Sequence, residues 1–324
     1  MKIPKTRLLL LLCLAMLAGV LTGCGESTPV QAEGKKLSII TTIFPEYDWV
    51  RQILGDRADR VELTLLLSNG VDLHSYQPTA DDMIKISTCD LFIHVGGESD
   101  DWVDDALAGA VNKDMVVIDL LDVLDDTVKQ EELVEGMQAE DRENEPELDE
   151  HVWLSLRSAA AACSSIAGQL GALDPINKNA YEVNAAAYIE KLDALDARYA
   201  SAVSEAQVDT LLFGDRFPFR YLTDDYGLRY YAAFAGCSAE TEASFETIVF
   251  LAGKVEELGL SAVLTLEGSD GKLAQTIVDN TELKNARILQ VDSLQSTTLQ
   301  DITDGKTYLG AMEQNLEILR QALQ

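Results

Sequence analysis

Residues 174–207 read DPINKNAYEVNAAAYIEKLDALDARYASAVSEAQ, and this stretch decides the architecture. After Pro175 it holds neither proline nor glycine, and Ala180, Val183, Ala187, Leu192, Leu195, Tyr199 and Val203 recur at helical steps. Asp174 before Pro175 reads as an N-cap followed by proline in the first helical position. The pattern predicts one helix over 174–207, reaching on the order of 45 Å at about 1.5 Å per residue. Such a helix runs the height of two lobes and couples them more stiffly than a Gly/Ser linker would.

On both sides of it, short β-rich runs alternate with helical ones. Strands are expected at 37–43, 61–67, 90–95 and 115–120, then at 210–213, 228–234, 261–266 and 286–291. Helical stretches at 46–54, 79–87, 101–111, 244–257 and 272–280 separate them. Apolar strands that alternate with helices imply parallel sheets covered on both faces. The predicted fold class is α/β: two open parallel-sheet lobes, 37–173 and 208–324, joined by the rigid helix 174–207, with a ligand site in the cleft between them.

The first residues form a basic segment, an apolar run over 8–21 and then Thr22-Gly23-Cys24. That is the layout of a secretory leader, and the run is too short for a good membrane span. Leu21-Thr22-Gly23-Cys24 resembles a bacterial lipobox, so 1–23 is expected to be a lipoprotein signal peptide and Cys24 the lipidated residue. Residues 24–36 read as a flexible tether. The expected location is the extracellular face of the cytoplasmic membrane, held there by lipid.

The chain has 55 acidic and 25 basic residues, a net charge of −30. Loss of Lys2, Lys5 and Arg7 with the leader takes this from −30 to −33. So acidic a body excludes nucleic acid as a partner, because phosphate backbones demand Lys and Arg. The stretch 122–150, rich in carboxylates and without periodicity, reads as an exposed loop. Of the five cysteines, Cys13 belongs to the leader and Cys24 to the lipid site. Cys89 and Cys163 read as small buried hydrophobes, and no disulfide framework is present. Cys237 falls in a loop and stays open as a soft ligand.

The chemistry rests on histidine, of which the chain has only three. His94 sits inside an apolar strand and reads as a hydrogen-bonded core or edge residue. His74 follows the second strand through the turn Ser68-Asn69-Gly70, and His151 closes the acidic stretch. Asp215 and Arg216 follow the strand 210–213, and Asp292 follows 286–291. In open α/β sheets ligands bind beyond the carboxyl ends of the strands, so these side chains face one edge. Imidazole with carboxylate suits Zn²⁺, and also Mn²⁺ or Fe²⁺.

Thr41-Thr42-Ile43-Phe44-Pro45, Asp72-Leu73-His74-Ser75-Tyr76-Gln77-Pro78-Thr79, Gly96-Gly97-Glu98, Glu150-His151-Val152-Trp153-Leu154-Ser155 and Val291-Asp292-Ser293-Leu294 occur in this order. Together they resemble the metal-specific cluster of solute-binding proteins, the extracellular receptors of zinc and manganese ABC importers. The resemblance covers nearly all of the chain after the leader. It implies a monomeric receptor that holds one metal ion in the cleft, zinc first and manganese or iron as alternatives, and delivers it to the importer's permease.

It also implies metal ligation by His74, His151 and Asp292. The remaining family ligand, a His or Glu three residues before the Phe of Phe219-Arg220-Tyr221, is replaced here by Arg216, which cannot ligate a metal. Glu240 is the first candidate to stand in, then Asp215, then Cys237; Arg216 itself is expected to pair with a carboxylate. The expected metal set is therefore His74, His151, Glu240 and Asp292. The absence of a His-rich loop weakens the case for zinc. A secreted metallohydrolase is the rival from another class, but no His-Glu-x-x-His is present and nothing organises a base beside either histidine. A surface adhesin finds no repeat or aromatic patch to support it. No enzymatic activity is expected.

Overall fold

Ile39 and Ile40 point to opposite faces of their strand, yet both are buried, which happens only when helices cover both faces of a sheet. The computed structural model describes residues 36–138, 147–237 and 242–324, so the leader, Cys24 and the tether up to residue 35 lie outside the described residues. In it, β1 (Leu37–Thr41) pairs in parallel with β2 (Val61–Leu65) and with β3 (Leu91–His94), and β3 pairs with β4 (Val116–Asp119). The sheet order is β2-β1-β3-β4.

The second sheet repeats the scheme. β5 (Thr210–Phe217), β6 (Arg229–Ala235), β7 (Ala262–Leu266) and β8 (Arg287–Val291) lie parallel in the order β6-β5-β7-β8. All eight strands fall on the runs that the sequence marks. Each sheet reverses its order beside its first strand, the position where open α/β sheets bind ligands beyond the carboxyl ends of their strands. β5 runs longer than expected and carries Asp215 and Arg216 within it, across a register shift between Phe213 and Arg216. Gly214 sits at that irregularity, where a Cβ would stand 2.7 Å from the Ala274 Cα.

The linking helix spans Lys178–Ser204, 27 residues or about 40 Å. It starts later than expected because Asp174 ends the preceding helix Leu156–Leu173, its N–H bonding the Leu170 carbonyl. Asn177 takes the cap position instead. The Asp174 carboxylate still braces the start, accepting from Asn177 Nδ2 at 2.7 Å and from the Tyr181 hydroxyl at 2.8 Å. The buried face also differs from the expected stripe: it is Tyr181, Ala185, Tyr188, Leu192, Leu195, Tyr199 and Ala202, while Val183 is exposed. Steps of four and three are a narrow seam, here filled by tyrosines. The last helix, Tyr308–Ala322, lies along it, and the Tyr199 hydroxyl donates to the Met312 carbonyl at 2.6 Å. Among the described residues no helix is long and apolar enough to cross a membrane.

The acidic stretch is not simply an exposed loop. Its described part turns back on itself, with Glu131 N bonded to the Glu147 carbonyl and Asp149 N to that of Lys129. The segment 129–138 then straps the second lobe. Lys129 N donates to the Tyr221 hydroxyl at 3.0 Å, Glu132 pairs with Arg220, and Gln138 N donates to the Ala233 carbonyl at 2.9 Å on β6. Asp149 and Glu150, at its end, are buried. Backbone pairing and buried acceptors, rather than hydrophobic periodicity, hold this segment, so the sequence pattern does not show it.

One buried carboxyl makes stability depend on pH. Glu46, fully buried in the helix Phe44–Leu54, accepts from Thr42 N at 2.8 Å and Ile43 N at 3.3 Å. Burial, and then the charge of Asp100, push its pKa well above the ordinary 4.5 despite those bonds. Its contribution is complete below 4.5 and is lost as pH rises through the raised value. Glu46→Gln should therefore lose less stability than the parent between about pH 5 and about pH 8, read as urea midpoints at the two ends. Parallel losses in the two proteins would contradict this assignment.

Candidate metal centre

Asp72 shapes the first element of the site. Its Oδ1 accepts from His74 N at 3.0 Å and so caps the short 3₁₀ turn Leu73–Ser75 that carries the histidine. The other oxygen, Oδ2, takes Arg216 Nη2 at 2.7 Å from the second lobe. Burial alone would raise the pKa of Asp72, but the neighbouring His74 and Arg216 lower it, so the carboxylate is charged. Arg216 thus does pair with a carboxylate, in the opposite lobe.

His74 Nδ1 lies 2.7 Å from Ser99 Oγ and 3.4 Å from Glu150 Oε2. Glu150 accepts from Ser99 N through Oε1 at 2.8 Å, while Oε2 is buried with no hydrogen-bond partner. Gly97, at φ 83°, leaves the room this requires, since a Cβ there would collide with the Glu150 carboxylate. Burial disfavours the charged form of Glu150, yet His74 and Ser99 hold its pKa down.

His151 is wholly buried, and Asp149 Oδ1 accepts from both its backbone N and its Nδ1 at 2.9 Å. A carboxylate only accepts, so the proton sits on Nδ1 and the lone pair on Nε2. Burial alone would lower the pKa of this imidazole, but the carboxylates of Asp149, Glu150 and Asp72 outweigh it and raise the pKa. The two Nε2 atoms of His74 and His151 face one another at 3.1 Å. Two lone pairs at that distance repel unless a proton or a cation lies between them. A tetrahedral zinc with bonds of about 2.0–2.1 Å holds two nitrogens roughly 3.3 Å apart, close to this spacing.

Among the described residues, one group of potential ligand atoms converges: those of His74, His151 and Cys237, all within 4.8 Å of one another. Cys237 follows the end of β6, and its N–H donates to Glu131 Oε1 at 2.9 Å. Burial, then the carboxylates of Glu131, Glu150 and Asp149, push its thiol pKa well up, which favours the protonated form.

The other expected ligands fare differently. Asp292 is bound to Lys306 Nζ at 2.6 Å through Oδ2 and to Leu294 N at 2.8 Å through Oδ1, and it is not part of the converging group. Asp215 accepts from Arg216 N and Leu266 N. Glu240 lies outside the described residues. His94 is the core residue expected, with Nδ1 3.3 Å from Asp100 Oδ2. Sequence reasoning missed Asp149, Glu150 and Ser99 as orienting partners, although Asp149-Glu150-His151 being contiguous was a usable signal: the first serves His151 and the second His74.

Two doubly wound lobes, linked by one helix and facing each other over a histidine pair, are the architecture of the receptor class that the sequence resembles. Residues 39–322 match the ZnuA family, described as zinc-uptake complex component A, periplasmic, and the chain belongs to that family. The zinc-binding lipoprotein AdcA of Streptococcus pneumoniae serotype 4 is 33% identical over 319 residues, 96% of this chain and 60% of AdcA. The chain thus spans less than two thirds of the length of that relative. The high-affinity zinc uptake system protein ZnuA of Bacillus subtilis is 28% identical over 307 residues, 94% of each chain. The crystal structure of the Zn(II)-bound ZnuA-like domain of S. pneumoniae AdcA superposes with a TM-score of 0.70 at 30% identity, over 89% of this chain and 99% of that domain. That of the metal-dependent lipoprotein YcdH from B. subtilis gives 0.72 at 26% identity, over 89% and 100%.

Proposed function

We propose that this protein is a lipid-anchored receptor that captures Zn²⁺ outside the cytoplasmic membrane and delivers it to the permease of an ABC importer. The observation that carries this is the pair of facing Nε2 atoms, 3.1 Å apart, with a carboxylate behind each ring. Three buried or half-buried carboxylates, Asp72, Asp149 and Glu150, supply the negative surroundings that a dication needs. The chemistry is reversible coordination, so the reading requires no nucleophile or general base and makes the protein a carrier and not an enzyme.

In this reading residues 1–23 are the lipoprotein leader, Cys24 takes the lipid, and 24–36 tether a monomeric body to the membrane. Lobes 37–173 and 208–324 flank the linker 174–207. The zinc names of AdcA and ZnuA favour zinc over manganese and iron. Titration calorimetry on the metal-stripped protein, with zinc run against manganese, tests the reading. One tight zinc site per chain supports it; no tight site for either metal overturns it.

The orienting carboxylates should matter measurably. Glu150→Gln should weaken zinc binding by about 10–100-fold, because the amide no longer holds the His74 ring by charge. Competition with a chromophoric chelator measures the change, and an unchanged affinity would remove Glu150 from the site's design.

A further inference from the structure

Two imidazoles leave a captured zinc ion short of ligands, since protein zinc sites draw on at least three side chains. Glu240 lies outside the described residues, and other side chains considered for the set are engaged elsewhere. The Arg216 guanidinium, a permanent cation, is bonded to Asp72, and Asp292 is bonded to Lys306. Both Asp215 oxygens accept backbone N–H groups.

What reaches the histidine pair from the second lobe is the turn after β6. Gly236 lets this turn press on the imidazole: a Cβ there would stand 2.8 Å from His151 Cε1 and 2.9 Å from the Phe217 carbonyl oxygen. The next residue, Cys237, is fixed by its N–H on Glu131 of the strap and has its sulfur within 4.8 Å of both ring nitrogens. We propose that Cys237 is the third metal ligand, its sulfur filling the position for which Arg216 has no donor. The proposal rests on the receptor reading and deepens it. On coordination the S–H bond breaks, the sulfur keeps the electron pair and binds the metal, and the proton leaves to buffer.

The ligand set His74, His151 and Cys237 is softer than one of imidazole and carboxylate alone. Thiolate favours zinc and disfavours manganese, which prefers oxygen ligands. Cys237 is therefore the residue that sets metal choice. It also makes the site bipartite: the histidines belong to the first lobe and the sulfur to the second, so the ion joins them.

Cobalt(II) substitution tests this on the unaltered protein. The cobalt form should show a sulfur-to-metal charge-transfer band in the near ultraviolet beside tetrahedral d–d bands, and Cys237→Ser should lose the first. The same substitution should weaken zinc binding by at least about 100-fold, the upper end of what loss of an outer partner costs, while manganese binding changes little. Cobalt that binds without the charge-transfer band, together with a Cys237→Ser protein of parental zinc affinity, would overturn the proposal. If His74→Ala abolishes zinc binding in that same series, the receptor reading stands while the cysteine assignment falls. An unaltered protein that binds neither cobalt nor zinc overturns both.

Discussion

His151→Ala should abolish tight zinc binding, with a loss on the order of a thousandfold, or about 4 kcal/mol. The ring supplies one of the two facing nitrogens, and no other imidazole can replace it, because His94 is held in the core by Asp100. The substitution also leaves Asp149 Oδ1 with the backbone N–H of residue 151 as its remaining partner there, in a fully buried spot. Weakening that acceptor costs about 1–3 kcal/mol of stability. Calorimetric titration gives the first effect and thermal unfolding of the metal-free protein the second. A variant that binds zinc as tightly as the parent would place the metal elsewhere.

The second large effect falls two residues on. Trp153 is buried, its Nε1–H donates to the Ser293 carbonyl at 2.9 Å across the lobes, and its own carbonyl accepts from the Tyr308 hydroxyl at 2.7 Å. The indole also packs beside the His151 ring, with centroids 5.2 Å apart. Trp153→Ala should cost about 3–5 kcal/mol through the cavity, and more through the orphaned carbonyl. For a body of this size that lowers Tm by roughly 5–15 °C. Trp153→Phe keeps most of the buried area and loses the N–H, so its cost should fall to about 1–2 kcal/mol. Equal losses in the two variants would show that the cross-lobe bond, not the packing, carries the residue's effect.

How much of this was legible depended on the range of the interaction. Strands such as β1 and β7, apolar on both faces and flanked by helical runs, are written locally, and all eight were placed from their own residues. The linking helix was legible as a helix, but its inward face was not. Tyrosine counts as half polar in a periodicity reading, whereas Tyr181, Tyr188 and Tyr199 form the buried seam, two of them with hydroxyls bonded to neighbours.

His74 announced itself by rarity and by its position after a strand, and His151 by rarity and by closing the acidic stretch. Their partners did not. Arg216 meets Asp72 across 144 residues, and Lys306 takes the Asp292 carboxylate from a loop that no motif marks. Cys237 ranked last among the stand-ins because nothing local shows that the end of β6 lies against His151. Gly236, a residue without a side chain, is what permits that approach.

The strap over 129–138 bears on how the two lobes can part. It begins beside the histidines of one lobe and is bonded to Tyr221, Cys237 and Ala233 of the other. Parting the two lobes at that side breaks these bonds. For the receptor proposed above, the residence time of its ion would then depend on this polypeptide segment as well as on coordination strength.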